Sequence, residues 1–296
     1  MNHRTGRSSG RGHSRVSEAN NLAGSIAPTD QTLTFTYPIG SIARGAILAI
    51  DLEEIRVWAV NNTQQVTACS RGVNGTVAAS HAANTYVPVR PKFSPFRIFR
   101  AMNEELSDLS SPGNGLYQVA SVDITYNAAV QGYDITGATN VIRILEARYK
   151  VPGPSLNYPM ISAGNYSLQR QMPTTDFPSG FVFDLYQRAF PGLPIHLRYA
   201  APFNQLVNLT DDVTAVSGLP LTARDILPLG AAIRLILPRE LKRNFTEAGV
   251  EPRRAEEVPP RAVMQSAMGL QQLRAQRIRS EVMALNSQFP IMLASY

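Results

Sequence analysis

The feature that most constrains this chain is a series of short runs in which polar and apolar residues alternate, separated by Gly, Pro, Asn and Asp. The first runs are TLTFTY, GAILAIDL and EIRVWAV, and the turn NNTQQ separates the last of them from VTACS. Alternation with a period of two is typical of half-buried strands. We therefore predict a small antiparallel β module at residues 21–93, with the hairpin Glu54–Ser70 at its centre.

A helix and a second β region are predicted next. The run SPFRIFRAMNEELSDLSS, residues 94–111, has Ser94 in an N-cap position, Pro95 at the first helical position and apolar residues at helical spacing. Residues 116–210 contain further strand-like runs, among them NVIRILEARYK, GFVFDLYQ and LPIHLRYAAPF. Several short strands with turn residues between them predict a β-sandwich.

The end of the chain is predicted to be helical over residues 216–296. A helix at 222–240 begins with Thr222 and Asp225 in an arrangement like a capping box. A polar linker follows, and residues 260–286 form a second, longer helix with an apolar side and an Arg-rich side. The predicted fold class is thus α+β, mainly β.

Composition and charge narrow the possible partners. The chain has 296 residues, a net charge of +6 and a single cysteine, Cys69, so an intramolecular disulfide is excluded. No run reaches the roughly 18 apolar residues that span a bilayer, so we expect no membrane contact. Residues 1–20 are nearly free of apolar side chains and are expected to form a mobile arm, either solvated or ordered on phosphate or an acidic neighbour. Its arginines are Arg4, Arg7, Arg11 and Arg15.

Nothing in the sequence favours catalysis. It has four histidines and lacks the usual metallopeptidase, serine hydrolase, phosphate-loop and dinucleotide motifs. Adjacent acids such as Glu53 and Glu54 point in different directions in a strand, so we expect solvated edges rather than acid/base pairs. His196 is expected at the surface of a strand. We predict a protein that is not an enzyme and has neither cofactor nor metal.

The segment CSRGVNGTVAASH, which begins at Cys69, looks reactive but is better explained as a shaped loop. Asn74-Gly75 is the preferred pair for a type I′ turn, and Gly72 permits a second bend. Nothing near Cys69 would lower its thiol pKa. The residues expected to shape the loop are Arg71, Gly72, Asn74, Gly75, Thr76 and His81.

This segment also carries a family resemblance. VTACSRGVNGTVAASHAANTYVPV resembles a pattern in neck, adaptor and tail proteins of tailed bacteriophages: a strand, then Arg-Gly-x-x-Gly-Thr-x-Ala-x-x-His, then a Val-containing strand. This chain has Asn84-Thr85 where the pattern often has glycine. The order of β module, helix, sandwich and Arg-rich terminal helix is similar to head-to-tail connector proteins. The matching positions are Arg71, Gly72, Gly75, Thr76, Ala78 and His81.

The resemblance implies a structural role in the virion neck, with assembly in the host cytoplasm. Such proteins form a homo-oligomeric ring under the portal protein, commonly with the portal's twelve-fold symmetry. The ring continues the DNA channel and presents a surface to the next tail or neck protein. The surface of each copy is then covered by its neighbours on both sides.

The resemblance also gives roles to the two Arg-rich segments. The terminal helix is expected to dock to the portal, and the amino-terminal arm to contact either portal or packaged DNA. Two other hypotheses stay open: a tail or baseplate protein whose sandwich binds host glycan, and a hydrolase whose carboxylates converge in space. The residues expected to dock the helix are Leu270, Arg274, Arg277, Ile278 and Arg279.

Overall fold

The structure, a computed structural model, has the predicted mixture of antiparallel sheets and helices. It divides into two units, residues 1–100 and 101–296. The residues that it describes are 18–38, 42–62, 65–127, 129–151, 153, 158–186, 193–247 and 262–289. The expected arm was placed at residues 1–20, but Glu18 already belongs to a strand, so this boundary comes too late.

One six-stranded antiparallel sheet forms the first unit. In chain order its strands are β1 (Glu18–Asn21), β2 (Leu33–Thr34), β3 (Ile47–Ile50), β4 (Glu53–Asn62), β5 (Gln65–Ser70) and β6 (Tyr86–Val89). Their spatial order is β1-β6-β3-β4-β5-β2. The two edges meet just beyond β1 and β2, where Leu22 and Phe35 form a bridge. The sheet therefore curls around a core that contains Leu22, Phe35, Ile50, Ile55 and Val66.

The predicted central hairpin is present, but its alternation stops early. Ile55 and Val57 in β4 are fully buried, as expected for inward positions. Register shifts between β4 and β5 begin after Val57. Because each bulge changes which side of the sheet a residue faces, Ala59 is exposed instead of buried, and Val60 packs against the core.

The first helix begins where its capping signals predicted. α1 spans Pro95–Leu109, and the Ser94 hydroxyl accepts a hydrogen bond from the Arg97 N–H at 3.3 Å. This contact satisfies one of the amide groups that a helix start leaves without an intrahelical partner. The predicted end at residue 111 is two residues beyond the observed one.

The predicted sandwich consists of two three-stranded antiparallel sheets around one core. The strands are β7 (Gln118–Ile124), β8 (Gly132–Asp134), β9 (Arg143–Tyr149), β10 (Tyr166–Arg170), β11 (Phe181–Leu185) and β12 (Ile195–Ala201). One sheet has the order β7-β12-β9 and the other β10-β11-β8. Ile124, Ile195 and Leu197 of the first sheet share a core with Tyr133 and Phe183 of the second.

In the described residues after the sandwich, the α-helices are α2 (Val213–Ser217), α3 (Ile226–Glu247) and α4 (Ala262–Gln288). α4 agrees with the predicted helix at 260–286, but α3 begins four residues after the predicted start. The capping interpretation was wrong, because Thr222 lies in a short 3-10 helix and its hydroxyl donates to Glu281 of α4 at 2.8 Å. Asp225 instead accepts from Arg277 at 2.8 Å.

A buried carboxylate joins the helices of the second unit. Glu105 of α1 is only 1% exposed and accepts from Arg274 of α4 at 2.6 Å and from Arg234 of α3 at 3.2 Å. Asp108, one turn later, contacts the same two guanidinium groups at 2.5 and 3.2 Å. A Cβ atom at Gly230 of α3 would lie 2.0 Å from the Glu105 Cδ atom. Only glycine at this position leaves room for the carboxylate.

Two glycine-to-alanine changes should therefore have opposite effects on stability. Gly230→Ala pushes the Glu105 carboxylate away from its arginines and should lower the free energy of unfolding by about 3 kcal/mol. Gly269→Ala in α4 meets nothing within 4 Å and should raise it by up to about 1 kcal/mol, because alanine favours the helix. Thermal unfolding followed by circular dichroism measures both, and equal stability of the two variants would contradict the described position of Glu105.

Candidate functional site

The polar side chains of CSRGVNGTVAASH lie mainly in the loop between β5 and β6, which packs on the first two residues of β4. There the chain reverses after β3 through Asp51, whose φ is 49°. This turn delivers Glu53 and Glu54 side by side at the start of β4. Both carboxylates are only 1% exposed. The expectation that this acidic pair forms a solvated edge was wrong, because the loop covers both residues.

Glu53 accepts five hydrogen bonds from four groups of the loop. The Arg71 guanidinium binds both carboxylate oxygens, with Nε at 2.7 Å from Oε1 and Nη2 at 2.8 Å from Oε2. His81 Nε2 lies 2.9 Å from Oε2. The backbone N–H groups of Gly72 and Ala79 donate to the same carboxylate at 3.0 and 3.1 Å. A buried carboxylate with this many charge-assisted partners holds the loop in one conformation.

Every N–H group of Arg71 has an acceptor. Besides the two bonds to Glu53, the guanidinium donates to the carbonyl oxygens of Ala27, Asp30 and Ala79 at 2.7, 3.1 and 2.6 Å. These five bonds equal the donor capacity of an arginine side chain. Arg71 therefore ties two separate backbone segments, the Ala27–Asp30 turn and the chain at Ala79, to the start of β4. Its side chain is only 6% exposed.

His81 lies between two carboxylates. Its Nε2 atom faces Glu53, and its Nδ1 atom lies 2.8 Å from Asp51 Oδ2. Burial alone would lower the pKa of His81, but the hydrogen bonds to Glu53 and Asp51 outweigh it, and its pKa is raised above 6.5. Both ring nitrogens can donate only in the protonated form, and the two carboxylates favour that form.

The same partners control the ionisation of Glu53. Burial would raise the pKa of this carboxyl group, but hydrogen bonds from Arg71 and His81 and from two backbone amides lower it from 4.5 to about 2. Glu53 is therefore ionised at neutral pH and has no proton to donate. Its environment fits a structural carboxylate and not a general acid.

Glu54 holds both the Asn74–Gly75 turn of the loop and the start of α1. Asn74 Nδ2 donates to Glu54 Oε2 at 2.5 Å, and the Ser94 hydroxyl donates to Oε1. Arg97 of α1 lies 3.3 Å from Oε1. The Thr76 hydroxyl accepts from the Glu54 N–H at 3.1 Å and donates to the Val73 carbonyl at 2.8 Å. The turn and the start of α1 are thus fixed by one carboxylate.

The predicted turn is present. Asn74 and Gly75 have φ values of 59° and 86°, and the Thr76 N–H donates to the Val73 carbonyl at 3.2 Å, as a type I′ turn requires. A Cβ atom at Gly72 would lie 2.9 Å from the Ala78 nitrogen, so a larger residue does not fit. The turn does not join two strands, however, because residues 76–80 are irregular. Asn84 takes the left-handed conformation, with φ at 65°, which asparagine tolerates better than most residues other than glycine.

The Cys69 thiol is in an environment that disfavours its reaction as a nucleophile. It lies in β5, is buried, and its thiol pKa is raised above 9.0, mainly by burial. The thiolate needed for nucleophilic attack is therefore disfavoured. In the part of the chain that the structure describes, no three His, Cys, Asp or Glu side chains are grouped to hold a metal ion.

The residues expected to dock the terminal helix differ in their surroundings: four pack within their own unit, and one is exposed. Arg274 binds Glu105 and Asp108, while Arg277 binds Asp225, Glu281 and the Thr222 carbonyl, all within the second unit. Ile278 is buried and Leu270 is half-buried. These four side chains serve the packing of their own unit, whereas Arg279 is exposed. A docking role for this helix stays a prediction.

Two further expectations concern the arm and His196. Arg4, Arg7, Arg11 and Arg15 lie outside the described residues. His196 lies on the outer face of β12, where its Nδ1 atom is 2.6 Å from Asp123 of β7. Lys150 also contacts Asp123, so this group is a surface ion cluster. The described helices include none with the length and apolar composition of a membrane span.

Comparison with known proteins identifies no relative of this chain. No family model matches the sequence, and no curated protein matches it at a significant level. Function must therefore be inferred from the residues and their geometry.

Removing the Glu53 charge should unfold the loop. In Glu53→Gln the shape is retained, but Arg71 and His81 are left buried without their counter-charge, and breaking such a pair costs about 3–5 kcal/mol. Arg44→Gln, which removes a charge at an exposed turn of the same unit, is the control and should change the free energy by less than about 0.5 kcal/mol. Trp58, the single tryptophan, lies in β4 and reports denaturant unfolding of the first unit by its fluorescence. A loss below 1 kcal/mol in Glu53→Gln would contradict this description.

The free energy of unfolding should also depend on pH through the ionisation of Glu53 and His81. The pKa of Glu53 is lowered, so its contribution is complete above pH 4.5 and is lost as the pH falls towards 2. The difference in pKa corresponds to about 3 kcal/mol. The pKa of His81 is raised, so its contribution is complete below pH 6.5 and is lost as the pH rises through the raised value.

We therefore expect the free energy of unfolding, measured by urea titration, to be highest between about pH 4.5 and 6.5. In His81→Gln, the free energy of unfolding should still decrease at acid pH. Above pH 6.5 it should decrease less than in the unchanged protein, because the contribution of His81 is missing. If the pH profile of His81→Gln has the same shape as that of the unchanged protein, His81 is not an imidazolium in the folded state.

Proposed function

We propose that this protein is a structural component of the virion neck of a tailed bacteriophage, a head-to-tail adaptor that forms a ring between portal and tail. The observation that carries the proposal is the loop from Arg71 to His81. Its matching positions are those of the phage neck, adaptor and tail pattern, and Arg71, Gly72, Thr76 and His81 all contact or support the pair Glu53 and Glu54. These contacts indicate that the residues of the pattern hold the loop in one conformation.

A fixed loop suits assembly by complementary surfaces. All N–H groups of Arg71 donate hydrogen bonds. Both ring nitrogens of His81 and both carboxylate oxygens of Glu53 are also hydrogen-bonded. Groups satisfied in this way are not available for a reaction, but they prevent the loop from changing shape when a neighbour binds. A preformed surface loses little conformational entropy on association.

The surface of each unit also suits burial by neighbours. Tyr37, Val77 and Tyr86 of the first unit are 63%, 81% and 61% exposed. Met268, Leu273 and Met283 on α4 are at least 49% exposed. Contact with a neighbour would remove the apolar surface of these side chains from water. In a ring with head-to-tail contacts, each copy would be covered on both sides, and the portal above and the tail protein below would cover further surface.

The size and symmetry of the purified protein test this proposal most simply. We expect a closed ring, alone or after mixing with the portal protein, in mass photometry and in class averages from electron microscopy. A stable monomer that does not bind portal would refute the adaptor role. Hydrolytic activity that disappears when one carboxylate is changed would favour an enzyme instead.

Arg279 tests the docking of the terminal helix. Arg279→Glu reverses an exposed charge on α4 and leaves the ion pairs of Arg274 and Arg277 in place. If α4 docks on an acidic portal surface, this change should weaken portal binding by at least about tenfold. Arg44→Glu makes the same change at an exposed turn of the first unit and is the control. Equal binding by Arg279→Glu and the unchanged protein would place the portal contact elsewhere.

A further inference from the structure

We propose that a groove in the sandwich binds an extended, acidic segment of a partner polypeptide. The groove has a volume of about 500 Å³ and lies beside β9 and β10, which are edge strands of the two sheets. Its lining combines two cationic side chains with apolar and hydroxyl groups. The lining residues are Arg143, Ile144, Tyr166, Ser167, Leu168 and Arg170.

Both arginines of the groove are held in place by neutral groups. The Arg143 guanidinium lies over the Tyr117 ring, 5.1 Å from its centroid, and donates to the Tyr117 hydroxyl at 3.0 Å. Arg170 donates to the carbonyl oxygen of Ile142. Within the described residues, neither guanidinium contacts a carboxylate. Among the described residues, both positive charges are therefore left without an acidic partner.

This arrangement differs from that of other well-ordered arginines in the chain. Arg71, Arg148, Arg234, Arg274 and Arg277 each bind a glutamate or aspartate. The groove contains two guanidinium groups and no acidic residue among its lining. A concave site with charges of one sign attracts ligands of the opposite sign, and guanidinium groups bind carboxylates with paired hydrogen bonds.

The backbone beside the groove favours a peptide as the ligand. β10 pairs only with β11, so the N–H and C=O groups on its other edge have no strand partner within the described chain. The outer edge of β9 is partly covered, because the Ile161 N–H donates to the Ala147 carbonyl at 2.9 Å. The free edge of β10 can accept an added strand by backbone hydrogen bonds.

The side chains of such a strand would meet complementary groups. Tyr166, Leu168 and Arg170 alternate along β10 and therefore project to one side of the strand. An extended partner with acidic and apolar residues in alternation places a carboxylate near a guanidinium and an apolar side chain near Leu168 or Ile144. The inference does not depend on the adaptor role, because peptide binding and ring assembly are measured separately.

A titration with synthetic peptides tests the inference on the full-length protein. The probes are a fluorescent hexapeptide, Thr-Glu-Val-Glu-Val-Thr, and the same peptide with Gln in place of Glu. In fluorescence anisotropy we expect the acidic peptide to bind at least about tenfold more tightly than the neutral one. Its affinity should fall as the salt concentration rises, because the groove is open to solvent.

Substitutions locate the binding site. Arg170→Gln, at the exposed end of β10, should weaken binding of the acidic peptide about tenfold, and Arg143→Gln should have an effect of the same size. Arg279→Gln removes one exposed charge from α4, outside the groove, and should leave the affinity unchanged. Because Arg143 also packs on Tyr117, the Arg170 variant alone decides the result if the Arg143 variant does not fold.

Three outcomes would overturn the inference. The first is equal affinity for the acidic and the neutral peptide. The second is unchanged binding of the acidic peptide by Arg170→Gln. The third is binding of a sialic-acid trisaccharide that Arg170→Gln abolishes, without binding of the acidic peptide, which would assign the groove to a saccharide.

Discussion

The Glu53 carboxylate is the interaction on which the first unit depends. It is almost completely buried, and burial of an unpaired charge would be strongly unfavourable. Arg71, His81 and two backbone amides compensate it. The described part of this loop contains a 3-10 turn at Val73–Gly75 and a bridge from His81 to Ile26. The carboxylate adds the side-chain contacts that order the rest of the chain between β5 and β6, so the shape of the loop depends on it.

The second unit uses a buried carboxylate in a related way. Glu105 and Asp108 on α1 bind Arg234 and Arg274, and these contacts connect α3 and α4 to α1. In both units the acidic group lies on a regular element, and arginine reaches it from elsewhere in the sequence. Arg71, Arg234 and Arg274 therefore bind carboxylates of their own unit. Arg143 and Arg170, in contrast, have no acidic partner among the described residues.

Local signals were sufficient for much of the fold. The Asn74-Gly75 turn and the start of α1 at Ser94 were predicted because backbone preference and capping act over three or four residues. The partner of Arg71 was missed because Glu53 lies 18 residues earlier, and such a pairing has no periodic signature. The available signal was an acidic pair at a strand start, followed in the next loop by an arginine and a histidine and by no other charged residue. The start of α3 was mispredicted because Thr222 and Asp225 bind side chains of α4, a contact that only the tertiary structure reveals.

Amide hydrogen exchange at Gly72 and Ala79 tests the central claim most directly. These amides belong to a loop, yet both donate to the buried Glu53 carboxylate. If this carboxylate organises the loop, both amides should exchange only through global unfolding of the first unit, as slowly as the amides of β4. Exchange of Gly72 and Ala79 at the rate of unprotected loop amides, with β4 still protected, would contradict the account.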